Sequence, residues 1–153
     1  MPIALISLKL LQMLKAILPL LFCCFFSVNA VAQKNLVWPV LAMTNYDQDP
    51  VSGLYSPKFP SILTQKYEGQ EVIISGYLIP LDVAANTYAL SMSPFSACFF
   101  CGNAGPETVI ELKFNKNPGR FATDKFVPIT GTLQLNRNGQ GLFFTIINAK
   151  IEA

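Results

Sequence analysis

A chain of 153 residues, 52% of them apolar, can build one hydrophobic core and is too short for two. It contains no histidine, which removes at once the commonest general base, the commonest metal ligand and the Ser-His and Cys-His nucleophile pairs. Its eleven basic and nine acidic side chains form no basic block, so charge gives no reason to expect nucleic acid or an anionic membrane as partner.

The first 32 residues have the layout of a secretory signal peptide. Lys9 and Lys15 precede the apolar run from Ala16 to Val28, and the small-residue pattern Ala30-Val31-Ala32 follows. The run is about a dozen residues, well under the roughly 20 needed to cross a bilayer, so cleavage near Ala32 is expected and no membrane span would remain. A start at Met13 would give a tidier signal and the same product. Cys23 and Cys24 lie inside the run behind Phe22, where lipid modification would need a small residue. Cleavage therefore leaves Cys98 and Cys101 as the only cysteines, and nine basic residues against nine acidic ones. The expected organisation is a signal peptide over 1–32 and one domain over 33–153, exported to the periplasm or the extracellular space.

From Gln33 to Gly69 the pattern reads as irregular cover, punctuated by Pro39, Pro50, Pro57 and Pro60. Pro60 suits the first turn of a short helix over Ser61 to Tyr67, and Trp38 and Phe59 read as packing anchors. Strands follow. Glu71 to Leu81 is apolar on both faces, with Gly76 able to bend it and Pro80 expected to end it. In the next run Tyr88, Leu90 and Met92 share a face, and Thr108 to Phe114 points Ile110, Leu112 and Phe114 inward with Glu111 and Lys113 outward. Phe126 to Leu135 sets Val127, Ile129, Leu133 and Leu135 on one face, with Gly131 among them. Asn138-Gly139 is a hairpin signal. In Leu142 to Ile151 the apolar parity shifts near Ile147-Asn148, which predicts a bulge. Five strands with glycines inside them and no long helix predict an all-β fold, a small five-stranded antiparallel OB-like barrel, with a small sandwich as the alternative.

Between the second and third of these strands lies Cys98-Phe-Phe-Cys-Gly-Asn-Ala-Gly-Pro-Glu107, for which several readings stand open. In an oxidising compartment Cys98 and Cys101 would form a disulfide that pins a Gly-rich loop, Gly102 and Gly105 included. So small a ring contributes about 2 kcal/mol or less, and acts on local shape. As thiolates the pair is half of a zinc or copper site; Met92, Glu107 or Asp82 could add ligands, and Met92 with two thiolates suits Cu(I). A thiol-disulfide enzyme is less favoured, because glycines and Pro106 discourage the helix that activates such cysteines and no Lys or Arg lies between Lys66 and Lys113. Phe99 and Phe100 could meet a partner or fold inward, and Gly102 to Gly105 could cradle an anion. Tyr88, Phe143 and Phe144 could stack bases on a barrel face, though core packing is the simpler role. No spacing rule unites Glu107, Glu111 and Asp82 as an acid-base pair.

Glu68-Gly-Gln-Glu-Val-Ile-Ile-Ser-Gly-Tyr-Leu-Ile-Pro-Leu81, the cysteine loop through Thr108, Gly131-Thr-Leu-Gln-Leu and Asn148-Ala149 together resemble an uncharacterised bacterial secreted family, the domain of unknown function 3299 and its relatives. The resemblance spans Trp38 to Ile151, and the cysteine loop is its most specific part. It implies an envelope location, an OB-like barrel and, for some relatives, transporter or metal-uptake neighbourhoods. It implies no established activity. Many relatives carry one cysteine followed by histidine and prolines where this chain has two cysteines and no histidine, so no histidine ligand carries over. The expectation is a non-enzymatic binding or accessory module without a cofactor. Its partner would be an envelope protein or a small ligand, and its binding loop Cys98, Phe99, Phe100, Cys101, Gly102, Gly105 and Glu107. A zinc- or copper-binding or thiol-active protein is the alternative.

Overall fold

The computed structural model describes residues 33–82, 84–97, 104–119, 121–139 and 141–152; the predicted signal peptide and Cys98 to Asn103 lie outside them. Eight strands follow one another: β1 (Lys34–Asn35), β2 (Asn45–Gln48), β3 (Tyr55–Lys58), β4 (Glu71–Asp82), β5 (Thr87–Ser91), β6 (Val109–Phe114), β7 (Lys125–Leu135) and β8 (Phe144–Ile151). The short helix α1 (Trp38–Leu41) and a π-helical turn at Leu63–Tyr67 interrupt the first half. Among the described residues no helix is long and apolar enough to cross a membrane.

Strands β4 to β8 close a five-stranded OB-like barrel in the order β4-β5-β6-β8-β7, with β7 returning to β4. Successive strands run in opposite directions, and an odd number of them cannot alternate all the way round a ring. One seam must therefore be parallel, and it is β6 against β8. The sheet is thus mixed where strand pattern alone suggests a purely antiparallel barrel. Alternation sets the core: Val72, Ile74 and Leu78 of β4, Tyr88 and Leu90 of β5, Ile110, Leu112 and Phe114 of β6, and Val127, Ile129, Leu133 and Leu135 of β7 point inward and are buried.

Both mid-strand glycines sit where another part of the chain comes close. Gly76 is buried, and a Cβ there would meet the Ser91 carbonyl oxygen at 2.7 Å and Trp38 at 3.0 Å. The glycine is what lets Trp38 settle on the barrel, where its indole N–H donates to Ser75 O at 2.8 Å. Gly131 has φ of 155°, and a Cβ there would meet Ile147 O at 2.7 Å. Opposite it the β7–β8 register shifts between Thr130 and Thr132, and Asn148 on β8 has φ of 55°. This is the bulge that the parity shift predicts. Pro80 does not end β4, which runs on to Asp82. Pairing with β7 stops at Leu78, and beyond it β5 is the partner on one side alone, a position that tolerates proline.

Residues 33–70 are more ordered than their composition suggests. Leu36, Leu41, Leu63 and Tyr67 complete the core, and β2 and β3 form their own two-stranded sheet. Tyr46 and Tyr55 pack edge-on to Phe143 with centroids 5.3 and 6.0 Å apart, and Phe59 lies 5.8 Å from Phe144. Arg137 grips Glu68 with two hydrogen bonds of 2.5 and 2.8 Å, which hold the Glu68 carboxyl below its ordinary value and fasten the cover to the β7–β8 connection.

Gly131→Ala should lower stability by about 2–3 kcal/mol through overpacking and an unfavourable φ. Urea unfolding should show a lower midpoint with an unchanged slope.

Candidate functional site

Because Ile110, Leu112 and Phe114 take the inward positions of β6, Glu111 and Lys113 stand on its outer face. Parallel pairing sets Thr145 of β8 beside Glu111. The Thr145 hydroxyl donates to Glu111 Oε2 at 3.1 Å, and Lys113 Nζ lies 3.7 Å from the same oxygen. These three residues occupy the middle of a groove. Toward the β7–β8 connection it opens into about 530 Å³ lined by Gln134, Asn136, Asn138 and Gly141. Toward the β4–β5 turn it continues for about 240 Å³ past Ala85, Asn86 and Thr87.

Both flanking loops are built by side chains that replace missing backbone partners. In the β4–β5 turn, Asp82 Oδ1 accepts from the Ala84 and Ala85 amides at 2.9 and 3.0 Å. Asn86, with φ of 56°, donates from Nδ2 to Phe114 O at 3.1 Å. Its Oδ1 is buried without a hydrogen-bond partner. In the β7–β8 connection, Asn136 Nδ2 donates to Leu142 O at 3.2 Å and Asn136 Oδ1 accepts from the Asn138 amide at 3.1 Å. The expected Asn138-Gly139 hairpin is therefore the tip of a wider loop. The groove thus offers carboxamides and hydroxyls around one internally compensated ion pair.

The residues singled out in the sequence are scattered by comparison. Cys98, Phe99, Phe100, Cys101 and Gly102 lie outside the described residues. Met92 is 41% exposed just beyond β5, its amide donating to Thr108 O at 3.0 Å to close the base of the connection. Asp82 is engaged in its turn, Glu111 lies in the groove, and Glu107 lies beside Tyr46, so the three carboxylates do not form one acid-base site. Among the described residues no group of three or more His, Cys, Asp or Glu side chains could hold a metal. Tyr88, Phe143 and Phe144 are buried in the core and present no stacking surface. Sequence reasoning placed Glu111 and Lys113 on the outer face without assigning them a site. It gave no signal for Gln134, Asn136 or Thr145, which belong to separate elements.

Glu107 and Gly105 have a local role. The 3₁₀ turn at Pro106–Thr108 is closed by Thr108, whose hydroxyl donates to Gly105 O at 2.7 Å. The Glu107 carboxylate folds back over Gly105. Burial raises the Tyr46 hydroxyl above its ordinary value, and the charge and hydrogen bond of Glu107 add to the shift.

Folding favours neutral Tyr46. Its contribution is complete below the ordinary value of 10.0 and is lost as pH rises through the higher folded value. Tyrosinate absorbance of the folded protein should include a Tyr46 component titrating above the ordinary range. Glu107→Gln should lower that titration and leave the part due to burial; an unmoved curve would break the Tyr46–Glu107 link.

Comparison with protein-family models, curated proteins and solved structures gives no match.

Proposed function

We propose that this protein is an exported, non-enzymatic binding module of the cell envelope. It takes an extended, uncharged polar ligand, an oligosaccharide, along the groove between the β4–β5 turn and the β7–β8 connection. The observation that carries the reading is the groove's chemistry: Gln134, Asn138 and Thr145 line it with amide and hydroxyl groups, while Glu111 and Lys113 compensate each other. Hydroxyl-rich ligands fit such a surface, and a polyanion gains nothing from it. In OB barrels the face of the second and third strands, with the loops after the first and fourth, is a common place for oligosaccharides and oligonucleotides; that support is an analogy of fold. Export is supported by the layout of residues 1–32 and by the resemblance to the secreted family of unknown function 3299. In that compartment Cys98 and Cys101 are joined as a disulfide in the resting protein.

Titration of the isotope-labelled protein with cello-, chito- and maltotetraose should shift the amides of Asn86, Glu111, Lys113 and Thr145 for at least one sugar. Gln134→Ala and Lys113→Ala should each weaken that binding about three- to tenfold, as expected for one lost hydrogen bond. No shift with any sugar, or tighter and steeply salt-dependent binding of oligothymidylate, overturns the reading.

Intact mass tests the cysteine assignment separately. Alkylation of the denatured protein should add mass at Cys98 and Cys101 only after reduction. Free thiols, or extra native mass from bound zinc or copper, would replace the disulfide with the metal or thiol alternative.

A further inference from the structure

A second hollow lies where β6 and β8 end, and it meets the polar groove only at Phe114. Its volume is about 500 Å³, within the range of small-molecule sites. The lining is different in kind: Phe114, Phe121, Ala149 and Ile151 supply apolar surface, and Lys116 and Lys150 supply the charge. Among the described residues no acidic side chain lines it. Neither lysine has an ion-pair partner among the described residues. A third, Lys125, sits with Nζ 5.4 Å from the centre of the Phe121 ring.

The hollow follows from how the chain is held. After Phe114 the loop is tied down by Tyr88, whose buried hydroxyl donates to Gly119 O at 2.8 Å, while Asn117 Oδ1 accepts from the Gly119 amide at 2.8 Å. Asn86 holds the Phe114 carbonyl from the other side. The bulge at Asn148 pairs Phe114 with Ala149 across the seam, so the floor beside the phenylalanine carries only a methyl group. A larger side chain at 149 would fill the space.

We infer that this hollow binds a small organic anion with an apolar body, of which a medium-chain carboxylate is the simplest. The apolar body would cover Phe114, Ala149 and Ile151, and the anionic head would sit by Lys116 and Lys150, whose described neighbours in the lining include no carboxylate. This site goes beyond the oligosaccharide groove and stands or falls independently of it.

The test uses the purified full domain with three probes of equal chain length: octanoate, octylammonium and octyl glucoside. Chemical-shift titration should place octanoate at Phe114, Ala149 and Ile151, and octanoate should bind about tenfold tighter than octylammonium. Lys116→Glu with Lys150→Glu should invert that order. Ala149→Phe should abolish octanoate binding while cellotetraose shifts at Glu111 and Thr145, where the wild type shows them, are retained. If that variant does not fold, the double lysine variant decides alone. Equal affinity for the three probes, octanoate affinity unchanged by charge reversal, or shifts confined to other surfaces would each overturn the inference. Loss of sugar binding with octanoate binding intact would count against the groove reading alone.

Discussion

A ring of five strands in alternating directions must contain one parallel seam, and the rest of this molecule is arranged around that necessity. Because β6 and β8 are parallel, no hairpin can join them. The chain leaves β6 at Phe114, travels through β7 and returns at Phe144. The seam is consequently flanked by long connections at both ends. Its register slips once, at the Asn148 bulge, and Gly131 of β7 gives up a side chain so that β8 can bend there. Both candidate sites are products of this seam: the Glu111–Thr145 pair forms the middle of the groove, and the Phe114–Ala149 pair forms the floor of the hollow.

The two sites use opposite chemistry at the two ends of the same strand pair. In the groove, charge is compensated internally and hydrogen-bonding groups are held at fixed angles, which favours selection by geometry. In the hollow the lysines have no ion-pair partner among the described residues and the surface beside them is apolar, which favours selection by amphipathic character. Between them Asn86 bonds the Phe114 carbonyl, so the loop beside one site is braced by the strand end that floors the other.

Much of the barrel was legible because burial enforces period-two alternation. β7 shows it most clearly, with Val127, Ile129, Leu133 and Leu135 inward as the pattern requires. The parity change before Ala149 reveals the bulge for the same reason. The parallel seam was not legible, since alternation says which face a residue takes and nothing about which strand lies beside it. The ordered character of residues 33–70 was hidden by their prolines, because Leu36, Leu41 and Leu63 find their partners in distant strands. The groove escaped notice for a related reason: Asn86, Glu111, Gln134 and Thr145 are ordinary surface residues until four elements bring them together. The cysteine loop drew attention through spacing, a signal that needs no tertiary context.

β1 is only two residues long, yet its position has a bearing on solubility. It runs parallel to β4 at Val72 and Ile73, and Leu36 N donates to Ile73 O at 2.9 Å. β5 does not reach this part of β4, whose pairing with it starts at Tyr77. Without Lys34 to Leu36, the run Glu71-Val-Ile-Ile-Ser75 would present an open hydrogen-bonding edge rich in β-branched residues, the kind of template on which chains stack into fibrils. The short segment just past the predicted cleavage position therefore guards against self-association, and trimming even a few residues from it would turn a barrel strand into an adhesive border.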